Sequence, residues 1–300
     1  MKLRIMDKTF VYLTGLAVLI ILALLFTILG NIVANGWTRI SWEFLSANPR
    51  EGMTEGGIFP AIFGTALLVL LMSIFVVPLG VLVAIYFSEY ANRTSMLYRW
   101  SRSAVDNLAG VPSIVFGLFG LGFFVQWVGR GVDKAFFGGH LAFGQPALIW
   151  AALTMAVLTL PVVIVSVEEA LRAVPQSFRE ASYALGATKS QTTFRVVLPD
   201  AVSGVLTGGI LAVSRGAGEV APILFVGAAY FLPHLPSKLN DQFMELGYHI
   251  FVLTTQSPDV EATKPLLYAT VLVLLGLTFL LNVVAIVVRA RLRVLSGAAR

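Results

Sequence analysis

The chain has 300 residues, of which 57% are hydrophobic and only 12% charged, with a mean hydropathy of +0.85. Soluble domains carry about 25% charged residues, so this balance places most of the chain in a lipid bilayer. Without cysteine there are no disulfides, thiolate metal sites or cysteine nucleophiles, and His140, His234 and His249 lie too far apart to show metal-ligand spacing.

A spanning helix needs about 20 mostly apolar residues. Six stretches qualify: 10–34, 59–88, 108–128, 146–167, 201–231 and 266–288. The first follows Lys2, Arg4 and Lys8 as a secretory leader would. Its apolar run is too long for one and no small-residue cleavage site follows, so it is expected to be a retained helix. The polar loop 35–58 carries Trp37, Trp42 and Phe44, suited to an interfacial anchor. It separates a first unit, 1–57, from a core over 58–289, with a tail at 290–300. In the third span Gly110, Ser113, Gly117 and Gly120 form a close-packing stripe. Pro78, Pro112 and Pro161 are expected to interrupt spans as tolerated kinks. The loop 232–265 is net acidic, with Asp241, Glu245, Asp259 and Glu261 against Lys238 and Lys264, and its "HIFVLTTQ" suits a short interfacial helix.

Lys and Arg set the orientation. With the N-terminus inside, one side holds Lys2, Arg4, Lys8, Arg93, Arg99, Arg102, Arg172, Arg179, Lys189, Arg195, Arg289, Arg291, Arg293 and Arg300, 14 in all. The other holds six: Arg39, Arg50, Arg130, Lys134, Lys238 and Lys264. The basic pI of 9.6 therefore follows from the positive-inside rule and does not require a nucleic-acid partner. Both termini are expected in the cytoplasm.

On that topology residues 168–199 face the cytoplasm. Pro175 opens a helix with Phe178, Ala181, Ser182 and Leu185 on one face. Gly186 supplies a left-handed stop. Thr188 and Gln191 form a capping box for a second short helix, which carries Phe194, Val197 and Leu198 and ends at Pro199. The apolar face of this hairpin has no lipid to occupy, so it needs a protein surface, either its own chain's or a partner's.

Glu180-Ala181-Ser182, three residues, Gly186, nine residues, then Val196-x-Leu198-Pro199 resembles the E-A-A…G…I-x-L-P motif of ATP-binding-cassette importer permeases. Ser182 and Val196 are conservative departures from it. The segments 56–91, 110–120, 158–175, 214–225 ("SRGAGEVAPILF") and 264–282 are similar to the PstA-type permeases of phosphate importers. The resemblance implies an all-α polytopic membrane protein of six helices with a type I, MetI-like core over 58–289. It also implies that the hairpin, through Glu180, Ala181, Ser182, Gly186, Leu198 and Pro199, couples to a cytoplasmic ATPase. The implied partners are a second, PstC-like permease, two PstB-like ATPase subunits and a periplasmic PstS-like phosphate-binding protein, with inorganic phosphate as cargo. No cofactor is then bound directly, since ATP and Mg belong to the ATPase. In agreement, "GATKS" at 186–190 has Thr188 where a P-loop needs glycine before lysine.

In the fifth span Gly204, Gly208, Ala212 and Gly216 recur every four residues, which suits close helix approach within the chain or at a subunit seam. Arg215 and Glu219 sit beside that stripe, where a charge at mid-bilayer costs about 2.5–3.5 kcal/mol on insertion scales. They either neutralise each other or line a wet pathway, with Arg215 meeting the anion and Glu219 holding it in place or pairing across to the partner permease. At 1.5 Å per residue Arg215 is roughly 20 Å from the cytoplasmic end. Ser113 and Thr159 are further candidates for the pathway, against the ordinary alternative of bonding their own helices. A secondary transporter would be expected to show internal repeats or more intramembrane acids, and a membrane anchor leaves the buried charges without a purpose. Sulfate and molybdate permeases share the coupling motif and are the substrate-level alternative.

Overall fold

The structure, a computed structural model, describes residues 2–50, 55–232, 234–257 and 260–298. Among these, six helices are long and apolar enough to cross a membrane. Asp259 and Arg300 of the charge count lie outside the described residues.

Helix α1 (Lys2–Gly36) is apolar all round and packs along the last helix, leaving most of its surface exposed. Such a surface is stable only in lipid or against another subunit. A short connection follows. In it Ser41 accepts a hydrogen bond from the Phe44 amide and caps α2 (Trp42–Ser46), and the strands Pro49–Arg50 (β1) and Glu55–Gly56 (β2) pair antiparallel.

Helix α3 (Phe59–Ile85) runs through Pro78 and ends in a π turn over Tyr86–Tyr90. The third span differs from expectation. Residues 96–108 form a separate amphipathic helix, α4 (Met96–Leu108), with no buried residue. The spanning segment starts only at α5 (Ser113–Phe119) and continues through a π-helical stretch, Gly120–Gly129, into α6 (Arg130–Phe136). Pro112 precedes α5 and does not interrupt a helix, because its fixed φ suits a helix start.

Helix α7 (Leu148–Ala173) is the most buried of the six spans and the centre of the core, packed between α3 and the fifth span. Ala151, Met155, Val163, Val167 and Leu171 are fully enclosed there with Met72 and Val76 of α3. The hairpin comprises α8 (Gln176–Ala184) and α9 (Lys189–Thr192). The second helix does not end at Pro199. A π turn over Thr193–Val197 carries it into α10 (Leu198–Gly216), where Pro199 occupies the first turn and its missing N–H costs nothing.

The expected fifth span, 201–231, is therefore shifted: helix runs from Lys189 to Gly216 and then stops. Residues 217–228 turn back into the bundle. There the Ala147 amide donates to the Val226 carbonyl at 2.8 Å, and the carbonyls of Ala221 and Pro222 crowd Gly117 at about 3 Å from where a Cβ would sit. An apolar run reads the same whether it is straight helix or a folded-back segment, so the sequence could not separate the two.

The interfacial helix over "HIFVLTTQ" is longer than expected, forming α11 (Leu246–Thr255). Glu245 is not a surface charge. Its carboxylate caps α11, accepting from the amides of Gly247 (2.9 Å) and Tyr248 (2.6 Å), with the Thr65 hydroxyl 3.3 Å away. Burial pushes this carboxyl up to about 7. Phe44, Ile58, Met244, Leu246 and Leu266 form a second apolar cluster around it. The last span, α12 (Val260–Ala298), extends through most of the region taken as a tail.

Candidate functional site

Two features stand out from the apolar scaffold: the hairpin at one end and a charged pair at the end of α10. The hairpin begins with α8, whose N-cap is Pro175. Gly186 ends it with φ +83°, and an added Cβ there would meet nothing within 4 Å. The requirement for glycine is thus purely one of backbone conformation. Both halves of the expected capping box are present: the Gln191 amide donates to Thr188 Oγ1 at 3.3 Å, and the Thr188 amide donates to Gln191 Oε1 at 2.8 Å. Ser182 Oγ lies 2.9 Å from Thr192 Oγ1, a hydrogen bond that ties the two helices together. Alanine at position 182 would lack it.

The hairpin leaves large apolar side chains in solvent among exposed polar ones such as Glu180, Lys189 and Arg195. Leu185 is 90% exposed, and Phe178, Tyr183 and Phe194 are between 41% and 48% exposed. Ala181, Glu180 and Pro199 are exposed as well, and Leu198 is half-buried. Val197, by contrast, is enclosed in the chain's own core. Leu185 is thus held almost wholly in solvent at the tip of a capped, hydrogen-bonded turn.

What holds the hairpin to the bundle was not legible in the sequence. Arg179 is buried and spans three elements. Its Nη2 donates to Glu89 Oε1 at 2.7 Å and to the Leu171 carbonyl at 2.9 Å, and Nη1 donates to the Val174 carbonyl at 2.8 Å. Beside it the enclosed Glu168 accepts from both Arg102 and Arg172. Glu89 and Arg179 are 90 positions apart in sequence, and only the packing of α3 against α7 brings them together.

The second feature is on α10. Gly204 lies against Ala170, Gly208 against Ser166, and Gly216 close enough to Met72 that a Cβ would sit 2.6 Å from its sulfur. Ala212 is completely buried. The small-residue stripe therefore packs within this chain, on α7 and α3. Arg215, in the last turn of α10, projects away from it with its side chain 41% exposed, and Nε lies 3.3 Å from Glu219 Oε1. The helix has ended before Glu219, so the pair joins the terminus of α10 to the returning segment.

Thr207, Leu211 and Arg215 follow at four-residue intervals on one face. Thr207 and Leu211 line an open groove of about 490 Å³ between α10, α7 and α4, together with Pro161, Val165 and Ser166 of α7. Arg215 thus stands one turn beyond this groove. Of the other pathway candidates, Thr159 is fully buried with Oγ1 donating to the Met155 carbonyl at 2.9 Å, so its hydroxyl is used within its own helix. Ser113 is half-buried at the start of α5. The structure does not bring these two hydroxyls into the groove.

Comparison with known proteins agrees with this architecture. The chain is 32% identical over 276 residues to a probable ABC transporter permease protein, YqgI, of Bacillus subtilis, covering 87% of this chain and 88% of that one. It is 35% identical to the phosphate transport system permease protein PstA of Yersinia pestis, covering 83% and 77% of the two chains. Among solved structures, a bacterial ABC transporter for import of the acidic polysaccharide alginate shares the fold, with a TM-score of 0.62 at 16% identity over 92% of this chain and 94% of that chain. Residues 76–294 match the family model, and the chain belongs to the inner membrane components of binding-protein-dependent transport systems.

Proposed function

We propose that this protein is a permease subunit of an ATP-driven importer that carries inorganic phosphate into the cytoplasm. The observation that carries the reading is the capped hairpin, with its exposed Leu185 tip and positive-φ Gly186, on a bundle whose chain has no P-loop of its own. Such a subunit takes its energy from elsewhere. The hairpin is the contact for a cytoplasmic ATPase that uses ATP and Mg, and a second, related permease covers the exposed side of the bundle. A phosphate-binding protein delivers the anion from outside. The excess of Lys and Arg on the hairpin side supports a cytoplasmic location for that side, with the chain in the inner membrane. Similarity to phosphate transport permeases over most of the chain supports phosphate over sulfate or molybdate.

In this reading Arg215 meets the anion. A guanidinium presents a planar fork to phosphate oxygens, and at the C-terminal turn of α10 the helix dipole favours a cation. Glu219 holds the fork in place and lowers the cost of the charge while no anion is bound. The test is uptake of radiolabelled phosphate, with sulfate as competitor, by vesicles containing the assembled transporter. Arg215→Gln is expected to lower uptake by about 10–100-fold, the loss of one charge-assisted contact, with the ATPase still bound. Arg215→Lys should recover only part. The double change Arg215→Gln with Glu219→Gln is expected to stay as impaired as the single one. If it transports normally, the pair serves only mutual neutralisation. If sulfate competes as well as phosphate, the substrate assignment fails.

A further inference from the structure

At the root of the hairpin, between the ends of α3, α7 and α8, lies a cavity of about 490 Å³. Arg93, Arg172, Arg179 and Lys189 line it, and Glu89 is its one carboxylate. Glu89 is already paired with Arg179, and Arg172 is paired with Glu168 outside the cavity. Among the described residues Arg93 and Lys189 make no salt bridge; Lys189 Nζ instead sits 5.1 Å from the centre of the Tyr90 ring. The cavity therefore holds cations in excess of the carboxylate that faces them. They converge from three separate segments, so the excess belongs to the fold and not to a single charged run.

The surroundings fix the depth of this cavity. Tyr86 and Tyr90, where α3 leaves its apolar course, are each 41% exposed. Exposed tyrosines at the end of a span mark the headgroup level of a bilayer, and basic pockets between spanning helices at that level suit anionic headgroups. A volume of this size accommodates a phosphoryl group with its substituent, and the free guanidinium of Arg93 and ammonium of Lys189 provide the donors.

We propose that this cavity binds an anionic phosphoryl group, carried by a lipid headgroup or as free inorganic phosphate, and that the bound group braces the hairpin against the bundle. Arg93 lies between α3 and α4, Arg172 at the end of α7 and Lys189 at the start of α9, so one anion would bridge the scaffold and both sides of the hairpin turn. The inference rests on the membrane setting of the six spans and not on phosphate as cargo.

The test uses the full-length chain purified in a neutral detergent. Phosphatidylglycerol and phosphatidylcholine retention is measured by native mass spectrometry, and radiolabelled inorganic phosphate binding by equilibrium dialysis. Arg93→Gln with Lys189→Gln is expected to weaken anion binding by about tenfold or more, the loss of about 1.4 kcal/mol. Arg130→Gln with Lys238→Gln, an equal change of charge elsewhere, should leave it within about twofold. Arg93→Lys with Lys189→Arg retains the charges and should retain binding, which separates loss of the site from misfolding. Selective loss of phosphatidylglycerol identifies the lipid as the source, and selective loss of phosphate identifies the free ion. Absence of binding by either probe, or equal losses in the two glutamine variants, overturns the proposal. Because no transport is measured, failure here leaves the importer reading intact, and a failed uptake assay leaves this site intact.

Discussion

Gly186 shows how one residue can be required for its backbone alone. Its φ of +83° lies in the left-handed region, while the space around it is open. A substitution there changes conformation without causing a clash. Asparagine tolerates this region, whereas a β-branched residue does not. Gly186→Asn should therefore keep uptake and retain the ATPase on co-purification. Gly186→Val should redirect α9 and lose both, although the protein still inserts. Equal behaviour of the two variants would mean that the turn conformation is not what the partner recognises. Ser182 is a counterpart on the side-chain level: it departs from the motif's alanine and uses its hydroxyl to join α8 to the residue that closes α9.

At the scale of elements, the first helix of the hairpin is held by a buried ion pair, while Phe178, Tyr183 and Leu185 stay exposed and Val197 anchors the far side in the core. Arg179 satisfies two carbonyls at the end of α7 as well as Glu89, so it fixes where α8 leaves the bundle. Removing one member of such a pair strands the other charge and typically costs about 3–5 kcal/mol, whereas replacing both with apolar groups can be nearly neutral. Glu89→Leu or Arg179→Leu alone should lower the unfolding temperature in detergent, with the double variant recovering much of the loss. The double variant should still couple poorly, because the carbonyls of Leu171 and Val174 lose their donor and the hairpin its registration. Full uptake by the double variant would show that this anchor is dispensable for coupling. Helix α10 makes the opposite use of small residues: Gly204, Gly208 and Gly216 admit α7 and α3 at close range, which leaves the Thr207–Leu211–Arg215 face free for the groove.

For the whole molecule, the unequal division of cations predicts a single orientation. In this cysteine-free chain, single cysteines can be introduced without background. A cysteine at Thr188 should be labelled from the cytoplasmic side only, as should one close to either terminus, whereas cysteines at Leu45 and Asn240 should be labelled from outside. Labelling of position 188 from outside would overturn both the topology and the coupling role of the hairpin. The exposure of α1, which packs chiefly on α12, places it at the edge of the bundle against lipid or another subunit.

The sequence by itself determined the class of protein, the number of spans, the hairpin and its turn chemistry, because these depend on local signals: apolar length, glycine φ and the capping box. It also singled out Arg215 and Glu219, since a charge within an apolar run is conspicuous wherever the run folds. Tertiary structure decided the rest. It ended the fifth span at Gly216, folded residues 217–228 back beneath α5 and α7, and turned the small-residue stripe of α10 inward. It also joined Glu89 to Arg179 and buried Glu245 as a helix cap. Each of these outcomes depends on which surfaces meet across tens of residues. Apolar segments carry little information about that choice, because a straight span, a folded-back loop and a packed stripe can share the same composition.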